Sequence, residues 1–359
     1  MHIKHIYWFA PYNITCPSTR YRGKYPLQYL QKHHNISYNF VLPDRSLNGI
    51  LFFLKTVLSI LFFRKKDSLL VIQKICSNRW YANLLKLLVL FRKNATLYDI
   101  DDAEYFRQPT STLHFFLKHC QKIAVGSQAL KEYCWVYNPN VYIQTSPVIE
   151  HTHSKKEKTT PLHIGWVGDF GNGRSISKDF SHKTSLYQLL FPALLDINFP
   201  IKLSLIGIKN QKDIPEIQAY FKEKPNIQLE IPTKLNWKTD EWLYPLIATF
   251  DVGVSPMVDH PFNQAKSAFK AKQYLSCGVP VVGSAIGEND KFVQDQNNGL
   301  LCQEVEDFKL ALEKFAQMDK NEYLKFSSNA LASYPNYSMT NYCHLLLVNS
   351  SVKNDRTID

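Results

Sequence analysis

The chain has 359 residues, room for two ordinary domains of about 150 residues each. It is 45% hydrophobic and 20% charged, and 13 glycines and 18 prolines are too few for a low-complexity chain, so a disordered protein is excluded. With 42 Lys and Arg against 31 Asp and Glu the net charge is +11, which asks for a polyanionic partner: nucleic acid, an anionic membrane or a phosphorylated substrate.

The N-terminus runs straight into an apolar stretch without the long apolar segment of a signal peptide. Strands are predicted over 3–9, 37–42, 68–75, 95–100, 122–125 and 141–145, with helices over 19–33, 49–63, 80–91, 111–120 and 127–136. Residues 49–63 (GILFFLKTVLSILFF) are the most apolar stretch; at 15 residues it falls short of the roughly 20 a spanning helix needs. Lys55, Thr56 and Ser59 draw one narrow polar stripe on it, and Arg64, Lys65 and Lys66 follow. It reads either as a helix covering a sheet or as one resting on anionic lipid, and the first is favoured because helices on parallel sheets are often this apolar. Residues 151–161 (HTHSKKEKTTP) have a linker's composition. The alternation then restarts, with strands over 162–167, 201–206, 227–231, 251–255 and 279–283 and helices over 184–196, 213–222, 239–249, 266–277 and 305–318. Two more helices follow over 321–333 and 338–347, then a frayed tail.

Strand–helix alternation in two blocks predicts an α/β chain of two doubly wound, Rossmann-like domains facing a cleft: 1–150, a linker over 151–161, a second domain over 162–335, and a C-terminal helix and tail over 336–359. Seven scattered cysteines lack any C-x-x-C pair and read as buried thiols of a reducing compartment. No Ser-His-Asp order, HExxH, P-loop or nucleic-acid-binding signature occurs, and the 12 histidines are dispersed; His182 alone neighbours a candidate site and reads as a surface residue.

Residues 251–301 carry DVGVSPM, KSAFKAKQYLSCGVPVVGS and NNGLL in that order. Together these resemble the C-terminal domain of GT-B glycosyltransferases, most closely family 4. A helix opening near Lys266 would offer its first amides, from Lys266 through Ser267 to Phe269, with Lys270 adding charge on the same turn; such a site suits a diphosphate leaving group. The family's two carboxylates eight positions apart are Ala265 and Gln273 here, although a sub-group shares the Lys266-Ser267 loop. Gln273 can still hydrogen-bond a ribose. LHIGWVGDF (162–170) looks like the first strand and glycine turn of the nucleotide domain, where Gly168 allows close backbone approach and Arg174, Lys178 or Lys183 would contact donor phosphates. Lys183, at the start of a helix, is the best placed of the three.

In the first half, CPSTRYRGKYPLQYL (16–30) resembles a P-S-x-R-Y-R form of the same sub-group. Ser18 or Thr19 would cap the helix, and Arg20 and Arg22 would hold donor or acceptor phosphate. LYDIDDAEYF (97–106) matches the sub-group's D-x-D-D element; Asp101 or Asp102 would bind acceptor hydroxyls or orient the nucleophile, the alternative being a cap at Asp102.

The resemblance implies a glycosyltransferase that moves a sugar from a nucleotide-sugar to a glycan or lipid-linked acceptor in cell-surface polysaccharide synthesis, retaining configuration. It implies no cofactor, since the nucleotide-sugar is a substrate, and no metal. A nucleotide-sugar epimerase, or a weakened paralogue serving as an assembly partner, are the alternatives. Arg64, Lys65, Lys66, Arg92 and Lys93 beside apolar helices make an anionic membrane the expected large partner and nucleic acid an excluded one; the expected place is the cytoplasm, peripheral on the inner face of the membrane.

Overall fold

The computed structural model describes residues 3–62, 67–76, 80–91, 95–155, 157–170 and 178–350. They form two compact units, one of residues 1–149 with 337–359 and the other of 150–336. Arg64, Lys65, Lys66, Arg92, Lys93 and Arg174 lie outside the described residues.

The first unit is built on six parallel strands, β1 (His5–Phe9), β2 (Ser37–Val41), β3 (Ser68–Gln73), β4 (Thr96–Ile100), β5 (Lys122–Val125) and β6 (Val141–Ile143), in the order β2-β1-β3-β4-β5-β6. Helices α1 (Tyr25–His34), α2 (Leu47–Phe62), α3 (Trp80–Phe91), α4 (Ser111–His119) and α5 (Gln128–Trp135) make the crossovers. β1, β3 and β4 are buried along their whole length, which is why they read as unbroken apolar runs rather than alternating ones. α2 buries Phe53, Thr56, Val57 and Ile60. Thr56 therefore does not belong to an outward polar stripe; its hydroxyl donates to the Phe52 carbonyl at 2.8 Å, and Leu51, Leu54, Leu58 and Phe62 face solvent instead. Among the described residues no helix is long and apolar enough to cross a membrane.

The second unit has the strands β7 (Leu162–Val167), β8 (Ile201–Ile206), β9 (Ile227–Glu230), β10 (Val252–Ser255), β11 (Val281–Ser284) and β12 (Gly299–Cys302), in the order β12-β11-β10-β7-β8-β9. Its helices are α6 (His182–Ser185), which passes through a π-helical turn into α7 (Phe191–Leu195), then α8 (Asp213–Tyr220), α9 (Leu243–Ile247), α10 (Pro261–Gln264), α11 (Phe269–Ser276), α12 (Asn289–Phe292), α13 (Val305–Gln317) and α14 (Lys320–Ala332). β12 falls on the stretch that reads as an NNGLL turn. It is short, and Gly299 admits it: a Cβ there would sit 2.3 Å from the Val281 carbonyl oxygen.

Helix α15 (Met339–Ser350) packs against α1 in the first unit, burying Met339, Tyr342, Cys343 and Leu346 with Leu27 and Leu30. The linker-like segment is fastened to the second unit. Lys155 pairs with buried Asp251 at 2.8 Å, and the Lys158 ammonium donates to the carbonyls of Phe315, Ala316 and Met318, the negative end of α13.

Candidate active site

In an open parallel sheet, ligands bind beyond the carboxyl ends of the strands, where the strand order reverses. In the second unit that point lies between β7 and β10. Gly168 follows β7, and a side chain there would collide with the Trp166 ring (2.6 Å) and the Lys270 Cε (2.9 Å). The glycine thus lets Lys270 lie against the turn. The loop after β10 is held by three bonds: the Met257 amide donates to the Ser284 hydroxyl (2.8 Å), the Val258 amide to the Ser185 hydroxyl (3.1 Å), and the Asn263 side chain to the Val258 carbonyl (2.9 Å).

The expected helix from Lys266 is broken in two. Pro261 opens α10, capped by the His260 ring, which accepts from the Phe262 amide at 3.0 Å. The Lys266 amide is spent on the Asn263 carbonyl (3.1 Å), so it is not a free helix-start donor. Ala268 then adopts the left-handed conformation (φ 52°), and α11 begins at Phe269. A left-handed alanine is strained by about 1–2 kcal/mol, and strain of this kind gathers at ligand-binding turns. The amides of Ser267 and Ala268, inside this turn, donate to no group among the described residues.

Three basic groups meet beside this turn. The Lys270 and Lys266 ammonium groups lie 2.9 and 3.4 Å from the His182 Nε2. Lys270 also sits 5.9 Å over the Trp166 ring and Lys266 5.2 Å over Phe262. His182 lies in the first turn of α6, whose cap is the Ser181 hydroxyl, accepting from the Thr184 amide at 3.0 Å. Sequence reasoning set His182 aside because a lone histidine carries no spacing signal; the neighbouring cap Ser181 was the cue available.

Lys183, the best placed cation by sequence, points elsewhere. It bridges Asp213 (2.9 Å) and Glu216 (2.5 Å) on α8. Burial lowers its pKa, but the hydrogen bonds it donates to Glu216 and Asp213 outweigh that and raise it. Lys178 opens a short 3-10 turn, Lys178–Phe180, and its side chain lies outside the described residues. Ala265 is fully buried at the end of α10, and Gln273 is buried on α11.

In the first unit the corresponding reversal lies between β1 and β3. A π-helical turn, Thr19–Lys24, follows β1 and is buried from Thr19 to Gly23. Neither Ser18 nor Thr19 caps it. Ser18 is helical and accepts from the Gln73 side chain through its carbonyl (2.8 Å), and the Thr19 hydroxyl donates to the Tyr12 carbonyl (3.3 Å). Arg20 is buried and donates to the Ile14 carbonyl at 2.9 Å. Arg22 is fully buried in a two-pronged pair with Asp99, its Nε donating at 2.9 Å, and it also donates to the Gln144 carbonyl at 2.7 Å. Burial lowers its pKa, yet Asp99 and its surroundings raise it further, so the guanidinium stays charged. Arg22 is thus engaged within the first unit, with Asp99 and the Gln144 carbonyl.

The acidic loop after β4 is organised by Lys74, a residue the sequence did not single out. Lys74 is buried, left-handed (φ 49°), and ion-paired with Asp101 (3.2 Å), Glu104 (3.3 Å) and Asp102. Burial lowers its pKa, and Asp101, Asp102 and Glu104 together raise it well above the ordinary value. Asp101 is nearly closed off, whereas the Asp102 side chain keeps 30% exposure. Of the three aspartates, Asp102 can best reach a substrate.

Comparison with known proteins now fixes the class. Residues 184–318 match the family model for glycosyl transferases group 1. The chain carries a glycosyl transferases group 1 domain. Its activity class is glycosyl transfer. No curated protein sequence matches the chain. Among solved structures, the whole chain is similar to sucrose-phosphate synthase from Thermosynechococcus elongatus (TM-score 0.67, 12% identity, 96% of this chain and 97% of that one). It is also similar to Anabaena HepE solved with UDP and glucose (TM-score 0.61, 15% identity, 98% and 100%) and to the lipopolysaccharide outer core galactosyltransferase WaaB (TM-score 0.61, 13% identity, 96% and 98%). The two doubly wound units are thus those of the GT-B fold, and the group 1 match, which starts two residues after His182, takes in the Lys266 turn and α13.

Proposed function

We propose that the group 1 domain binds a nucleoside diphosphate sugar, UDP-linked in the first instance, and that the chain transfers the sugar with retention to a glycan or lipid-linked acceptor of cell-surface polysaccharide. The observation that carries this is the convergence of Lys266, Lys270 and His182 on the strained Ser267–Ala268 turn beside Gly168. A departing diphosphate gathers negative charge, and fixed amides and ammonium groups there stabilise the transition state more than the ground state. Gln273 is the candidate for the ribose, and Asp102 for the acceptor hydroxyl. The UDP solved with HepE and the likeness to the lipopolysaccharide outer core galactosyltransferase WaaB support this choice of nucleotide and acceptor class.

The reaction needs no resident cofactor and no metal in this reading: lysines offset the diphosphate charge, and the D-x-D-D carboxylates are engaged by Arg22 and Lys74. An anionic membrane is the expected surface, reached from the cytoplasm. Between Arg45 and Tyr98 the sequence has ten Lys and Arg and one acid, +9 of the chain's +11, and the helices of that stretch expose leucines and phenylalanines. UDP and UDP-sugars should raise the melting temperature in the presence of EDTA, by mass action. No shift with any nucleoside diphosphate sugar sinks the reading, and an inverted anomeric product removes retention.

A further inference from the structure

The first unit holds an apolar pocket that the donor chemistry does not use. We infer that it is a hydrocarbon-chain site, which takes the acyl or isoprenyl chain of a lipid-linked acceptor. Its volume is about 470 Å³, inside the ligand-pocket range of roughly 300–1,000 Å³. Phe9 closes it from the end of β1, Val41 from β2 and Ile75 from just beyond β3, so it sits at the unit's own strand-order reversal. Ile50 and Phe53 of α2 and Trp80 of α3 form the walls, with the Phe53 ring meeting Phe9 (5.8 Å) and Trp80 (5.3 Å) edge-on.

The chemistry selects the ligand. Of the lining residues only Asp44, Arg45, Trp80 and Tyr81 carry a polar side-chain group. Asp44 is already satisfied by the Ser46 amide (2.9 Å) and hydroxyl (2.7 Å). A nucleotide or free sugar would find only Arg45, Trp80 and Tyr81 for its many polar groups, whereas a hydrocarbon chain needs none. The same two helices expose Leu51, Leu58 and Phe62 on α2 and Leu90 and Phe91 on α3, apolar side chains suited to a bilayer surface. Ile75, which lines the pocket, follows Lys74, whose ammonium pairs with Asp102, so the chain and hydroxyl sites meet on neighbouring residues beyond the carboxyl end of β3.

The acceptor role rests on the transferase reading; the pocket's affinity for a chain does not. The test uses dodecyl maltoside below its micelle concentration, with maltose as the chain-free control, on the whole chain. Saturable one-to-one binding of the glycoside and none of maltose is expected, weakened at least tenfold in Ile50→Trp with the UDP-dependent melting shift unchanged. Non-saturable uptake, or equal affinity in a folded Ile50→Trp, overturns the proposal. Where that variant fails to fold, a brominated dodecyl maltoside decides: it should quench wild-type emission and lose most of that effect in Trp80→Phe, and quenching unchanged by Trp80→Phe overturns the site. Chain binding without a shift from any nucleoside diphosphate sugar overturns the transferase reading alone; such a shift without chain binding overturns the pocket alone.

Discussion

The two units reverse strand order at different places and fill those crevices with opposite chemistry. The first has its reversal between β1 and β3 and gathers Asp99, Asp101, Asp102 and Glu104 around two buried cations, Arg22 and Lys74. The second has its reversal between β7 and β10 and gathers Lys266, Lys270 and His182 at a strained turn. Acids that are paired with buried cations hold a fold together; what is left for a ligand is the exposed part, Asp102 and the apolar pocket. Like-charged groups converging on one imidazole nitrogen gain from an anion brought among them. Residue type alone therefore misleads: Arg22 and Lys183 look like phosphate ligands in the sequence, and each has a carboxylate partner within its own unit.

The largest effect expected is on the first unit's stability. Asp99→Asn leaves the Arg22 charge buried without its counter-ion, which should cost about 3–5 kcal/mol. Denaturant unfolding measures it; a loss below about 1 kcal/mol would mean that the pair is not the anchor described. Next comes the second unit's chemistry. Lys270→Ala should lower turnover at least about 100-fold, about 2.7 kcal/mol of transition-state stabilisation, with little change in melting temperature. A turnover loss that merely tracks a loss of folded protein would assign Lys270 to structure. The sharper contrast is Lys183→Ala. Lys183 and its partner Glu216 are partly exposed, so about 1 kcal/mol or less of stability should go and turnover should stay within about threefold. A tenfold loss of turnover with an unchanged melting temperature would return Lys183 to the diphosphate site.

Most of the fold was legible because it rests on burial. Buried parallel strands such as 162–167 and 201–206 read as apolar runs, and their observed bounds coincide with the sequence reading. Short elements were not legible: β12 and α12 span four residues each, too few for any period to show. At the candidate site, the segment around Lys266 and Lys270 was found by its motif, but its geometry was not. The break at Ala265–Ala268 depends on a left-handed alanine, which has no glycine or asparagine to announce it. The partners of Lys74, Arg22 and Lys183 are likewise tertiary: Arg22 meets an acid 77 residues away and Lys183 one 30 residues away, and no local pattern encodes such pairs.

The smallest expected effect separates the units by pH. In the second unit, burial pulls the His151 ring down to about 4, with a smaller upward pull from the His153 backbone and a further downward one from its charge. The ring stacks on Tyr244 at 4.3 Å and shares a 3.0 Å hydrogen bond with the Ser276 hydroxyl, and its buried Nδ1 has no partner among the described residues. His163, bonded to Ser204 at 2.8 Å, is lowered as well, first by burial and then by Lys202. Both rings are neutral in the folded unit and protonate more readily when it unfolds. The unfolded state therefore binds more protons below about pH 6.5, and the stabilisation is lost as pH falls from there towards about 4. The His151 ring is partly exposed, so its share of the loss should be smaller than the displacement of the pKa alone implies. Melting of the second unit should fall over that interval, and His151→Phe, which keeps the stacking and removes the titration, should flatten the fall. A curve of the same slope in the variant would show that the second unit's acid sensitivity does not come from the His151 ring.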